Sequence, residues 1–168
     1  MPQSEEIGLR TDRLVLSPVE PDDAAFVLEM LNDPGWLANI GDRGVRNLDQ
    51  ARAYIADRFQ GKAWWVVRDA STGEALGLCG VVPTRPGLTM PDLGYAFLAR
   101  HSGKGYATEA ARVVLDHAMG PLGHRQLAAI TTLANTPSQR VLEKLGFRHL
   151  GTRRLPAHDD DSAYFETA

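Results

Sequence analysis

The segment Arg100-His-Ser-Gly103-Lys104-Gly105-Tyr106-Ala107-Thr108-Glu109-Ala110 has residue types and spacing suited to holding an anion. An apolar, aromatic run, Leu93 to Leu98, precedes it, and a helix-like stretch, Ala107 to Met119, follows. A glycine-bearing turn between a strand and a helix leaves backbone N–H groups pointing outward, and the positive end of the helix dipole lies behind them, so a phosphate is favoured there. Gly103 and Gly105 would let the main chain approach such a ligand closely. Two better-known phosphate loops do not fit. A P-loop requires Gly-x-x-x-x-Gly-Lys-Ser/Thr, but here only Gly103-Lys104-Gly105-Tyr106 stands. A dinucleotide fingerprint requires a third glycine where Thr108 is found, and alternating βαβ units. The remaining alternative is a plain strand–helix turn that binds nothing.

The elements that must position this loop can be read from periodicity and punctuation. Arg13–Ser17 alternates as a strand. Pro21 stands at a helix start that runs to about Asn32 and stops before Pro34, and Asn47 caps a helix bearing Leu48, Ala51, Ile55 and Phe59. Ala63–Arg68 and Ala75–Val82 are strands joined by a turn at Asp69–Glu74, and a Pro/Gly-rich segment, Pro83–Pro91, leads into the strand before the glycine turn. The helix from Ala107 presents Ala110, Ala111, Val114, Leu115 and Ala118 on one side. Leu127–Thr132 is a strand, Pro137–Leu145 a helix ended by Gly146, and Phe147–Leu150 and Ser162–Glu166 complete the set. A short-turn meander inside this mixed order argues for an α+β domain on one largely antiparallel sheet.

Composition narrows the classes. With 168 residues, the chain is expected to form one domain, residues 1–168. Lys+Arg of 18 against Asp+Glu of 21 gives a net charge of −3, and no basic surplus argues for nucleic acid. The opening Met-Pro-Gln-Ser-Glu-Glu has neither region of a signal peptide, and no apolar run is long enough to span a bilayer. Cys79 is the lone cysteine, so no intrachain disulfide can form, which suits the cytoplasm; its apolar neighbours make it a buried structural thiol. The five histidines show no metal-ligand spacing, and no metal is expected.

Arg100-x-x-Gly103-x-Gly105 followed by Ala107-Thr-Glu-Ala110 resembles the pyrophosphate loop of GCN5-related N-acetyltransferases, and the element order is that of the same family. Leu9-Arg-Thr-Asp-Arg-Leu-Val-Leu16, Asn135-x-x-Ser138 and Glu143-Lys-Leu-Gly-Phe147 look most like the branch that includes the ribosomal-protein N-terminal acetyltransferases (RimJ/RimL-type). The resemblance implies a twisted, largely antiparallel sheet of about six to seven strands flanked by about four helices, with two strands splayed apart at a bulge. It implies acetyl-CoA as cosubstrate, an amine acceptor such as a protein N-terminus, an amino acid or another small amine, and a homodimer as a common state. It assigns the amides of Gly103, Lys104, Gly105, Tyr106, Ala107 and Thr108 to the pyrophosphate, with Arg100 adding positive charge. The main chain of Phe97 and Leu98 is assigned to the pantetheine arm, together with Asn135, which is equally placed to cap a helix before Pro137.

Acetyl transfer to an amine needs an unprotonated nitrogen, a polarised carbonyl and a proton for the departing thiolate. The related branch places a serine where Ser138 stands as the proton donor; the alternative is an ordinary residue at a helix start. Many relatives use a tyrosine on the late helix instead, but Val141, Leu142 and Leu145 offer none. Asp92, where relatives often carry a glutamate, is the expected base through a water, or else an exposed carboxylate at a strand end. Trp36, in the stretch Asp33–Asp42 read as a loop, belongs to the region from which the family builds acceptor specificity, and is assigned either to substrate or to packing. Trp64 and Trp65 must face opposite sides of their strand, one in the core and one free to line an acceptor groove or a dimer surface. His101 is expected to face solvent, and Asp159–Asp161 to form a solvated turn. A non-catalytic acyl-CoA sensor with an intact loop is the alternative function.

Overall fold

The computed structural model describes residues 8–156 and 158–168. The strands are β1 (Leu9–Arg10), β2 (Leu14–Pro18), β3 (Trp64–Asp69), β4 (Ala75–Val82), β5 (Asp92–Phe97), β6 (Ala128–Thr132), β7 (Arg148–Arg153) and β8 (Ser162–Glu166). The helices are α1 (Ala24–Leu31), α2 (Pro34–Asn39), α3 (Leu48–Arg58), α4 (Tyr106–Met119) and α5 (Thr136–Lys144). The strands form one sheet in the order β1-β2-β3-β4-β5-β6-β8-β7, antiparallel throughout except where β5 meets β6. Among the described residues this is the mixed, largely antiparallel architecture expected, with one strand and one helix more than its upper estimate. The extra strand is the two-residue edge β1. The extra helix is α2, in the stretch read as a loop: Asp33 caps it by accepting from Gly35 N at 3.1 Å, and Pro34 opens it.

Alternation along each strand divides the apolar residues between two cores. On one face Trp65, Val67, Cys79, Leu93, Ala129 and Phe165 pack against Ala110, Ala111, Val114 and Leu115 of α4 and Leu142 of α5. On the other, Val66 and Leu78 pack against Val27 and Met30 of α1 and Ala51 and Ile55 of α3. Trp65 is 0 % exposed, in the first core. Trp64 lies on the second face, across the paired glycines Gly80 and Gly94: a Cβ on Gly94 would meet its ring at 2.9 Å, and one on Gly80 at 2.4 Å. Burial pushes the Cys79 thiol well up, and the backbone hydrogen bond at Gly80 offsets it only in part. Among the described residues no helix is long and apolar enough to cross a membrane.

The site is set by what β5 and β6 do. They touch through a single pair, Asp92 with Ala128, supported by Ala128 N donating to Pro91 O at 2.9 Å, and then diverge. The splay is therefore present, but the bulge expected with it is not seen in the β4/β5 ladder, whose register runs unbroken from Val82↔Asp92 to Gly77↔Phe97. The opening is therefore not made by an extra residue in the β4/β5 ladder.

Candidate active site

The glycine turn leads directly into α4. Gly103 and Gly105 both adopt left-handed backbone, at φ +77° and +80°, and Gly105 is the N-cap of α4. Glu109 N bonds back to Gly105 O at 3.2 Å, so the amides of Tyr106, Ala107 and Thr108 lead the helix with no carbonyl one turn behind them. Lys104 is exposed beside them. Arg100 is placed elsewhere: its Nη1 lies 2.5 Å from Glu29 of α1, so its charge is directed to that carboxylate. The cation against the turn is Arg13, ahead of β2. Its Nε donates to Glu109 at 2.7 Å, its Nη1 to Lys104 O at 3.0 Å, and its guanidinium lies 4.7 Å over the Tyr106 ring. Thr11 also donates to Glu109. Burial raises the Glu109 pKa, but the hydrogen bonds from Thr11 and Arg13 outweigh it and hold the carboxylate below its ordinary range. His101 is buried rather than facing solvent, with Nε2 3.5 Å from Glu74; it sits inside the short 3₁₀ turn Ala99–His101, which tucks its ring inward.

Beyond Asp92, β5 presents an open edge to the splay. In an antiparallel ladder both main-chain groups of a residue point the same way and alternate along the strand. Leu98 N donates to Leu76 O at 3.0 Å, toward β4, whereas Pro91 O faces β6. By that parity, Leu93, Tyr95 and Phe97 direct N–H and C=O toward β6. Phe97 thus turns its main-chain groups toward β6, whereas the Leu98 N–H is already committed and its C=O accepts from His101 N at 2.9 Å. Asn135, on the far side of the splay, caps α5 by accepting from Ser138 N at 3.3 Å, and this capping leaves its NH₂ group for another partner.

Ser138 lies in the first turn of α5 and meets a residue the sequence did not single out. The Tyr95 hydroxyl reaches from β5 to Ser138, 2.8 Å from its Oγ and 3.0 Å from its carbonyl oxygen. Burial pushes the Tyr95 phenol well above its ordinary range. Asp92 is not an exposed strand-end carboxylate: it is 1 % exposed and clasped by Arg85, Nε to Oδ1 and Nη2 to Oδ2, both at 3.1 Å. Burial raises its pKa, and the Arg85 contacts only partly offset that.

The second face of the sheet carries the rest. Helix α2 lies across the mouth of the splay: Asp33 accepts from Ala99 N just beyond β5, and Asn39 accepts from the hydroxyl of Thr132, the last residue of β6, at 3.2 Å. Trp36 of α2 is 7 % exposed in the second core, and its indole N–H has no partner. Near Asp92, the Tyr164 hydroxyl donates to Glu166 at 2.6 Å; burial first, then that bond, pushes the phenol up to about 12.

A splayed β5/β6 pair with a left-handed glycine turn at the start of α4 defines an acyltransferase-like architecture, and the comparisons agree. Residues 13–148 match the family model described as an acetyltransferase (GNAT) domain, so the chain belongs to the GNAT family, as an N-acetyltransferase. It is 35 % identical over 153 residues to the uncharacterized protein YkkB of Bacillus subtilis (strain 168), covering 87 % of this chain and 88 % of YkkB. The crystal structure of a GNAT-family acetyltransferase from Bacillus anthracis superposes with a TM-score of 0.80 at 24 % identity, covering 95 % of this chain and 97 % of that one. RimL, a ribosomal L7/L12 alpha-N-protein acetyltransferase in complex with coenzyme A, has the same fold at a TM-score of 0.80 and 13 % identity, over 95 % of this chain and 97 % of its own.

Proposed function

We propose that this enzyme moves acetyl from acetyl-CoA to a primary amine by direct attack, with both substrates bound together. The observation that carries the reading is the single β5/β6 pair opening toward the left-handed turn at Gly103 and Gly105. Backbone amides at that turn suit a pyrophosphate, and the free β5 edge suits an extended arm that bonds to it as another strand would. RimL, which shares the fold, binds coenzyme A. The amides of Gly103, Lys104, Gly105, Tyr106, Ala107 and Thr108 take the pyrophosphate. The Phe97 main chain and the Asn135 amide group take the pantetheine arm, while Leu98 and Arg100 support them from committed positions. One continuous sheet supports the reading of residues 1–168 as one domain.

Bound acetyl-CoA supplies a thioester: the nitrogen–carbon bond forms, the carbon–sulfur bond breaks, and the electron pair leaves on sulfur. Ser138 gives the sulfur a proton. Asp92, made more basic by burial, takes the proton lost by nitrogen through a water. An α-amine of pKa near 8 costs only about 1.4 kcal/mol to deprotonate at pH 7, whereas a lysine near 10.4 costs about 4.6 kcal/mol. A carboxylate clasped by Arg85 is a modest base, which favours the α-amine of a peptide or small molecule. Helix α2, across the mouth of the splay and anchored in the second core by Trp36, sets which amine enters.

Thiol release from acetyl-CoA, followed across a panel of peptide N-termini, amino acids, polyamines and lysine peptides, tests this reading. Release above the amine-free rate with an α-amine supports it. Acetyl-CoA binding without release on the whole panel would instead favour a non-catalytic acyl-CoA sensor.

A further inference from the structure

We propose that Tyr95 is a positioning residue for the reaction: its hydroxyl orients and resupplies the proton that Ser138 delivers. The inference rests on the acetyltransferase reading above and on a contact made across the splay. Tyr95 is on β5 and Ser138 on α5, 43 positions apart, and their hydroxyl oxygens are 2.8 Å apart where the two strands have separated. Tyr95 alternates with Gly94 and Ala96, so its ring leaves the sheet on the α4/α5 side, packed against the first core. It thereby takes the place of the tyrosine lacking at Val141 and Leu142 of α5 and at Leu145 just beyond it.

The hydrogen-bond count gives the pair two states. A phenol has one proton, and Tyr95 has two acceptors within reach, Ser138 O at 3.0 Å and Ser138 Oγ. When Tyr95 donates to the carbonyl, the Ser138 proton is drawn toward the phenol oxygen. When Tyr95 donates to Oγ, the Ser138 proton is released and turns into the splay. The second state is the productive one. As the carbon–sulfur bond breaks, sulfur takes the Ser138 proton, and Oγ takes the proton Tyr95 already shares with it. Tyr95 is then reprotonated from solvent, and Asp92 releases to solvent the proton it took from the amine, so none is gained or consumed overall. The phenol's buried setting favours its neutral, proton-bearing form at neutral pH.

The test uses the amine that the wild-type enzyme acetylates fastest. Tyr95→Phe keeps the ring and removes only the hydroxyl. It should lower kcat roughly tenfold to hundredfold, the lower range of what a placed proton donor supplies, while KM for acetyl-CoA stays within about twofold. Ser138→Ala should cost as much or more, and the double variant should be no worse than Ser138→Ala alone, because residues acting as a unit are not additive. A variant with 3-fluorotyrosine at position 95, a more acidic phenol of nearly the same shape, should move the alkaline limb of kcat to lower pH; a purely structural ring would leave it in place. This variant also serves if Tyr95→Phe loses its cooperative melt. Wild-type kcat in Tyr95→Phe, multiplying effects in the double variant, or an unmoved alkaline limb overturns the proposal while leaving the acetyltransferase reading intact. Failure of the wild-type enzyme on every amine overturns that reading and this one together.

Discussion

At the scale of single residues, the site depends on which charges are already spent. Asp92 illustrates both sides. Replacing it with Asn leaves the Arg85 guanidinium partly buried with no counter-ion, which should cost about 1–3 kcal/mol in urea unfolding. As the base, it should also give wild-type kcat/KM an acidic limb above the ordinary aspartate range, because burial raises its pKa, and Asp92→Asn should abolish that limb. Loss of stability with an unchanged limb would assign Asp92 to structure alone. Arg13 makes the complementary case. It is half exposed, so its ion pair with Glu109 contributes under about 1 kcal/mol to stability. Yet it holds the Lys104 carbonyl and Glu109 beside the glycine turn. Arg13→Ala should therefore raise KM for acetyl-CoA several-fold in steady-state kinetics with kcat nearly unchanged. A fall in kcat alone would show that Arg13 does not act through the loop.

At the scale of elements, the turn before α4 and the short helix α2 divide the work. Gly105→Ala finds room for its Cβ, whose nearest neighbour is Arg13 Nη2 at 3.4 Å, but must hold a left-handed backbone at a cost of about 1–2 kcal/mol. It should lower the melting temperature and weaken acetyl-CoA further, since relaxing the backbone turns the amides away. Asn39→Ala, which releases α2 from β6, should change KM for the amine and leave KM for acetyl-CoA alone; the reverse pattern would contradict the place of α2 in acceptor choice. Much of this was legible in the chain. The bounds of β4 and β8 and the Asn47 cap follow from apolar runs bounded by turn residues and from capping chemistry, which are local. Helix α2 was missed because Pro34-Gly35 reads as a turn, although Asp33-Pro34 is also a sound helix start. The Arg13–Glu109 and Tyr95–Ser138 contacts join residues far apart, and no local pattern announces them. Arg100, expected to add its charge to the turn, instead leaves the 3₁₀ turn Ala99–His101 toward Glu29 of α1, another contact between residues far apart in the chain.

At the scale of the whole molecule, one sheet ties the edge strands to the site through few links, and pH should expose one of them. The folded-state pKa of Glu109 is depressed, so its contribution to stability is present above its ordinary value of 4.5 and is lost as pH falls through the lower folded-state value. Glu109→Gln should flatten the loss of stability below about pH 4.5 relative to wild type; an unchanged acid profile would show that the Thr11–Arg13–Glu109 clamp contributes nothing to the fold. The central claim is that the open β5 edge and the glycine turn together hold acetyl-CoA. Thermal unfolding with and without acetyl-CoA, with ATP as the control, tests it most directly. At about 100 times its dissociation constant, acetyl-CoA should add about 2.7 kcal/mol and raise the melting temperature by about 5–10 °C, with ATP at the same concentration doing much less. No shift at saturating acetyl-CoA, or an equal shift with ATP, would contradict the account.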